Sequence, residues 1–230
     1  MSNKKPEQYL VDSDFAKREI PNELDKRSYT EYKYIKEDGI YKIGRIDDTS
    51  YFNEEFQIMK EIFRESPYEF YAENFLWQVC LSKNPTDKFY NDIILGKILN
   101  TNYPYGKSDV VHRGHYLANK FKNYLVPKNH LEEQKVVNFF GRGNIQNVYP
   151  QSANSNCSSD MKGQLTFEQQ VWEFLDKSDS HQVFYEIENI IVGNKKSLGR
   201  RIKGIFVKDG ELAEGENHFH VFIPNIYDER

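Results

Sequence analysis

Two stretches carry residues whose types and spacing suit hydrolytic chemistry. Val110-Val111-His112-Arg113-Gly114-His115-Tyr116-Leu117-Ala118 runs a β-branched pair into an Arg-Gly turn and sets His115 at the start of the next segment. Further along, Asn147-Val148-Tyr149-Pro150-Gln151-Ser152-Ala153-Asn154-Ser155-Asn156 supplies a second polar block. Cleaving a phosphodiester takes a nucleophilic water, a base for its proton, a cation against the phosphate oxygens and help for the leaving oxygen. An imidazole such as His115, with an ordinary pKa of ~6.5, accepts a proton at neutral pH. Mg²⁺ prefers oxygen ligands and keeps several waters, so a side-chain amide such as that of Asn156 can serve as a ligand. Together the two stretches read as one metal-dependent site for phosphodiester cleavage.

Those residues need elements to hold them. Residues 109–113 read as a strand delivering the turn. Asn129 with Glu132 has the spacing of a capping box, opening a helix through Val136, Val137 and Phe140 that Gly141-Arg142-Gly143 ends. Thr166 with Gln169 is a second such pair, opening a helix to about Lys177 with Phe167, Val171, Phe174 and Leu175 inward. Upstream, residues 1–30 are polar and punctuated by Pro6 and Pro21, an N-terminal arm or a short amphipathic helix, with 31–230 as a single domain. Residues 31–46 form a hairpin pattern about Asp38-Gly39. Phe56, Met59, Ile62 and Phe63 make one helical stripe over 52–64. Residues 67–81 fit a helix or a pair of strands equally, and 89–99 are a short apolar segment before a loop over 100–106. Strand patterns cover 181–192, 201–208 and 219–223, with Asp209-Gly210 as a turn. Hairpins at both ends and helices between predict an α+β fold: a mixed or antiparallel sheet with flanking helices.

Composition narrows the function classes. Aromatics at 15% supply enough large side chains for a folded core, which excludes a disordered chain. No apolar run approaches the ~20 residues of a membrane span, and the charged N-terminus lacks a secretory h-region. The expected setting is cytoplasmic, or export by a route other than Sec. Two cysteines make no disulfide framework: Cys80 reads as a buried small hydrophobe, and a zinc site from His112, His115 and Cys157 would lack a second cysteine pair. His130 reads as exposed; His218 and His220 would share a strand face, as a metal pair or as surface histidines. A net charge of −4 does not suggest a chain that coats nucleic acid. Lys195, Lys196, Arg200, Arg201, Lys203 and Lys208 nevertheless cluster in one stretch, either a local phosphate-binding surface or a solvated strand face. Arg200, Arg201 and Lys203, with Arg142, are the candidate nucleic-acid contacts.

Arg113-Gly114-His115 resembles three residues of the Asp-Arg-Gly-His signature of the non-specific DNA/RNA endonucleases with a ββα-metal core. Gln146-Asn147-Val148-Tyr149-Pro150-Gln151 is similar to that family's second block, which precedes a metal-binding Asn and a helix carrying a Glu. The resemblance covers about residues 109–177. It implies His115 as general base, Asn156 and Glu168 holding Mg²⁺ (or Mn²⁺), Asn147 as a supporting Asn, and Arg113 contacting phosphate or bracing the turn. DNA, RNA or both would be substrate. An inhibitor or immunity protein is an expected partner on grounds of toxicity, in a toxin or defence setting. His112 stands where the family has Asp, and residues 157–163 lengthen the path from Asn156 to Glu168. An imidazole lacks the carboxylate's charge, so the alternative is a catalytically inactive nucleic-acid-binding module on a nuclease fold.

Overall fold

A computed structural model describes residues 5–44, 49–72, 75–96, 105, 108, 110–157 and 161–227. Asp109 and most of the expected 100–106 loop lie outside the described residues. Helix α1 (Ser13–Lys26) opens with Asp12, whose carboxylate accepts from the Phe15 N–H at 2.8 Å. Ala16, Ile20 and Leu24, four apart, bury one stripe of it against Ile43, Ile190, Leu198 and Phe222. The amphipathic-helix reading of the first thirty residues therefore holds, and the free-arm reading does not. Pro21 lies inside the helix, where an interior proline costs about 3 kcal/mol that this burial offsets.

The expected hairpin forms as β1 (Tyr32–Ile35) and β2 (Ile40–Ile43), with Gly39 at φ 67°, a conformation glycine adopts without strain. The stripe at 52–64 becomes α2 (Thr49–Ile62), whose Phe56 and Met59 pack on Phe184, Ile205 and Val207. Residues 67–81 resolve into strands β3 (Tyr68–Tyr71) and β4 (Leu76–Ser82); Tyr90–Leu95 is a π-helical turn. Then come β5 (Val111–His115), α3 (Lys122–Leu125), α4 (Gln134–Phe139), β6 (Val148–Ser152), α5 (Ala153–Cys157) and α6 (Gln164–Leu175). The chain closes with β7 (His181–Val192), β8 (Lys196–Lys208), β9 (Glu211–Leu212) and β10 (Phe219–Pro224).

Neither expected capping box forms. Gly163 is the N-cap of α6 and Glu133 that of α4, both without a side-chain cap. Helix α6 thus starts two residues before Thr166, which brings Gln164 into its first turn.

The fold is α+β. Among the described residues an eight-stranded antiparallel sheet runs β1-β2-β10-β8-β7-β4-β3, with β9 on β8, and β5 pairs antiparallel with β6 apart from it. Helices α1 and α2 cover one sheet face. The other carries the main core, where Trp77, Val79, Leu81, Tyr185 and Ile202 meet Phe139 of α4 and Phe167, Val171 and Phe174 of α6. Fully burying one such apolar side chain is worth about 1.5–3 kcal/mol, so these contacts fix α6 firmly against the large sheet. No helix among the described residues is long and apolar enough to cross a membrane.

Candidate active site

Strand β5 pairs with β6 from Val111↔Ser152 to His115↔Val148, so the two polar blocks of the sequence lie side by side. Asn147 then clamps the chain beyond His115. Its Oδ1 accepts from Leu117 N–H at 2.8 Å, its Nδ2 donates to the Leu117 carbonyl at 3.0 Å, and its own carbonyl accepts from Tyr116 N–H at 2.9 Å. Asn147 is fully buried and its side chain is spent on the Leu117 backbone, which holds the chain just beyond His115.

Gly114 explains the middle of the Arg-Gly-His triplet. A Cβ there would fall 1.9 Å from Gln151 Oε1 and 2.9 Å from Arg200 Nη2, so a bare backbone is what admits both side chains. Arg200 uses that space. Its Nη2 donates to the Gly114 carbonyl at 2.9 Å, and its Nη1 donates to the His115 carbonyl and to Gln164 Oε1, the latter at 2.6 Å. The guanidinium carbon lies 4.7 Å from the centroid of the Tyr116 ring.

The expected basic surface is thereby corrected. Successive strand residues face opposite sides of a sheet. Arg200 is buried at 1% exposure beneath the site. Arg201 and Lys203 lie buried on the other face: Arg201 pairs with Glu188 at 2.8 Å and with Glu186, and Lys203 with Glu55 at 2.5 Å. None of the three forms an exposed phosphate contact. Arg142 does remain exposed, and its carbonyl accepts from Arg113 Nη1 at 3.3 Å. His220 is buried in the network through Tyr51 and Arg201, and His218, half-buried, accepts from Phe206 N–H at 3.1 Å. His130 is half-buried, stacked 3.9 Å from Tyr90 and bonded to Glu133, rather than exposed.

His115, Asn156 and Glu168 line one cavity of about 260 Å³ together with Asn119, Lys120, Gln164 and Trp172. Burial foremost, then the guanidinium groups of Arg200 and Arg142, push the His115 imidazole down to about 4. Its Nε2 is buried and, among the described residues, has no hydrogen-bond partner. A ring that burial keeps neutral, with a nitrogen unpaired among the described residues, is able to accept a proton. Gln164 ties the other parts together: its Nε2 donates to the His115 carbonyl at 2.7 Å and to Glu168 Oε1 at 2.6 Å. Asn156 Nδ2 donates to His112 Nδ1 at 3.0 Å, with Cys157 Sγ 3.6 Å from that nitrogen.

Burial raises the Glu168 carboxyl to about 7 against the pull of Gln164 and Arg200. Glu168 is the only carboxylate lining the cavity among the described residues. With the Asn156 amide it offers one or two oxygen ligands, as few as a hydrated Mg²⁺ needs, and a bound cation would hold it ionised. The folded protein binds a proton at Glu168 that the unfolded chain gives up near 4.5, so stability falls as pH rises from 4.5 to about 7. Without metal, Glu168→Gln should stabilise the protein by roughly 2–3 kcal/mol at pH 8 and by almost nothing at pH 4.5. Chemical denaturation in EDTA at the two pH values measures this; no gain at pH 8 would contradict the buried-acid assignment.

Sequence reasoning missed Gln164, Lys120 and Trp172. Gln164, Glu168 and Trp172 recur at four-residue spacing on one helix face, a signal the assumed start at Thr166 concealed.

No protein-family model matches the sequence, and no curated protein matches it. Solved structures do. NucA from Streptococcus agalactiae with no metal bound aligns at TM-score 0.55 and 16% identity, over 91% of this chain and 90% of that one. The same protein with a magnesium ion bound aligns at TM-score 0.54 and 15% identity, over 91% of each chain. A structure described as an extracellular nuclease aligns at TM-score 0.40 and 14% identity, over 72% of this chain and 88% of that one. The likeness to NucA shows a shared fold.

Proposed function

We propose that the chain is a metal-dependent endonuclease that hydrolyses phosphodiester bonds of DNA and RNA. The observation that carries this reading is that His115, whose buried Nε2 has no hydrogen-bond partner among the described residues, meets Asn156 and Glu168 around one cavity. His115 Nε2 takes the proton from a water as its oxygen attacks phosphorus opposite the leaving oxygen. The backbone bonds from Arg200 and Gln164 to the His115 carbonyl hold the strand end while this happens. Asn156 and Glu168 would hold a hydrated Mg²⁺ or Mn²⁺, which when bound supplies positive charge against the phosphate oxygens. Arg142 and Arg113 border the site and contact the strand's phosphates.

His112 supports an active site over an inactive binding module. An amide nitrogen only donates, so His112 Nδ1 is the acceptor, and the Asn156 carbonyl oxygen is left for the cation. His112 thus compensates for the missing carboxylate by orienting the ligand.

The base must be neutral to act, so activity is present above its pKa and lost below. The acid limb of kcat/KM against pH should have its midpoint near 4. A midpoint at ~6.5, the value of a solvated imidazole, would remove His115 as the buried base.

A further inference from the structure

One wall of the cavity takes no part in the hydrolytic step. Lys120 follows the His115 strand in the 3-10 turn Asn119–Phe121, and Trp172 lies on α6 one turn beyond Glu168. Both line the same cavity as His115 and Asn156. The Lys120 ammonium sits 4.6 Å from the centroid of the Trp172 ring. Its carboxylate partner is Asp176 at 3.7 Å, and with side chains 42% and 55% exposed that pair is long, solvated and weak. Among the described residues no other Lys or Arg lines this cavity, because Arg200 is committed beneath it to the carbonyls of Gly114 and His115.

We infer that Lys120 and Trp172 form a nucleotide subsite beside the scissile bond, the ammonium holding the adjacent phosphate and the indole stacking an unpaired base. This deepens the nuclease reading and rests on it. A point cation and an aromatic face bind a single strand without reading its sequence. A base inside a duplex is not free to stack, so the subsite favours single-stranded or frayed nucleic acid.

Trp172 is its own probe, since Trp77 is fully buried in the core. A short single-stranded oligonucleotide titrated into the full chain in EDTA should change tryptophan emission saturably. Lys120→Ala should weaken that binding about tenfold and lower the salt slope by about 0.7, the contribution of one phosphate on a single strand. Trp172→Phe should keep most of the affinity and Trp172→Ala should lose it. In turnover, Lys120→Ala should raise KM while kcat stays within about twofold. Unchanged binding and KM in Lys120→Ala and Trp172→Ala would overturn the subsite even if the wild type cleaves. Lys120-dependent binding with no cleavage would support the subsite and overturn the nuclease reading instead.

Discussion

Replacing His115 with alanine should lower turnover of supercoiled DNA by about 10²–10⁴-fold, the range a positioned general base contributes. Stability should fall by about 1–3 kcal/mol, because the buried ring and its backbone hydrogen bonds at Phe140 and Gly141 are lost, so activity is compared well below the melt. The ring's Nε2 makes no hydrogen bond among the described residues, and burial already disfavours its charged form. The clamp that shapes the strand end uses the backbone and Asn147 instead, and survives the change. A plasmid-relaxation assay alongside a thermal melt reads both quantities. Activity within tenfold of wild type would place the base elsewhere.

Arg200→Ala is the opposite case, where the largest effect falls on stability. The guanidinium serves three buried acceptors: the carbonyls of Gly114 and His115 and Gln164 Oε1. Each orphaned acceptor costs about 1–3 kcal/mol, and removing one side of a buried charged network costs about 3–5 kcal/mol. A loss of that size lowers the melting temperature of a domain this long by roughly 10 °C. Activity should fall as well, because the strand end bearing His115 loses its support. Arg200→Lys should not rescue it, since a single ammonium cannot reproduce the two-nitrogen fork. A surface phosphate contact would behave otherwise: unchanged melting, raised KM and a reduced salt slope. The two readings of Arg200 therefore separate in one melt.

What was legible in the sequence was local. The Asp38-Gly39 turn needs a residue at positive φ, and the chemistry of that dipeptide announces it. The Arg-Gly-His triplet and the block ending at Asn156 each read locally as part of one site, whereas the strand over 148–152 and its pairing with β5 are set by tertiary contacts that no local pattern states. Arg200 and Arg201 show the limit. Adjacent in sequence, they read as one basic surface, but strand parity sends one under the candidate site and the other into an ion network beneath the helices. Parity depends on register with β7 and β10, which no local pattern states. Pro21 leaves the first thirty residues open between an arm and a helix, and burial of Ala16, Ile20 and Leu24 against distant strands decides for the helix. Glu168 was reached by resemblance, yet its partner Gln164 was lost when a false capping pair displaced the helix start.

On the proposed reading this cavity hydrolyses phosphodiester bonds with a divalent cation. Purified full-length protein incubated with supercoiled plasmid and with single-stranded RNA, in Mg²⁺ and in EDTA, tests it most directly. Nicking of the plasmid and shortening of the RNA in Mg²⁺, both abolished by EDTA, is the predicted result. Oligonucleotide binding with no cleavage in Mg²⁺ or Mn²⁺ would contradict it, and would make His112 the mark of a fold that kept its substrate surface and lost its reaction.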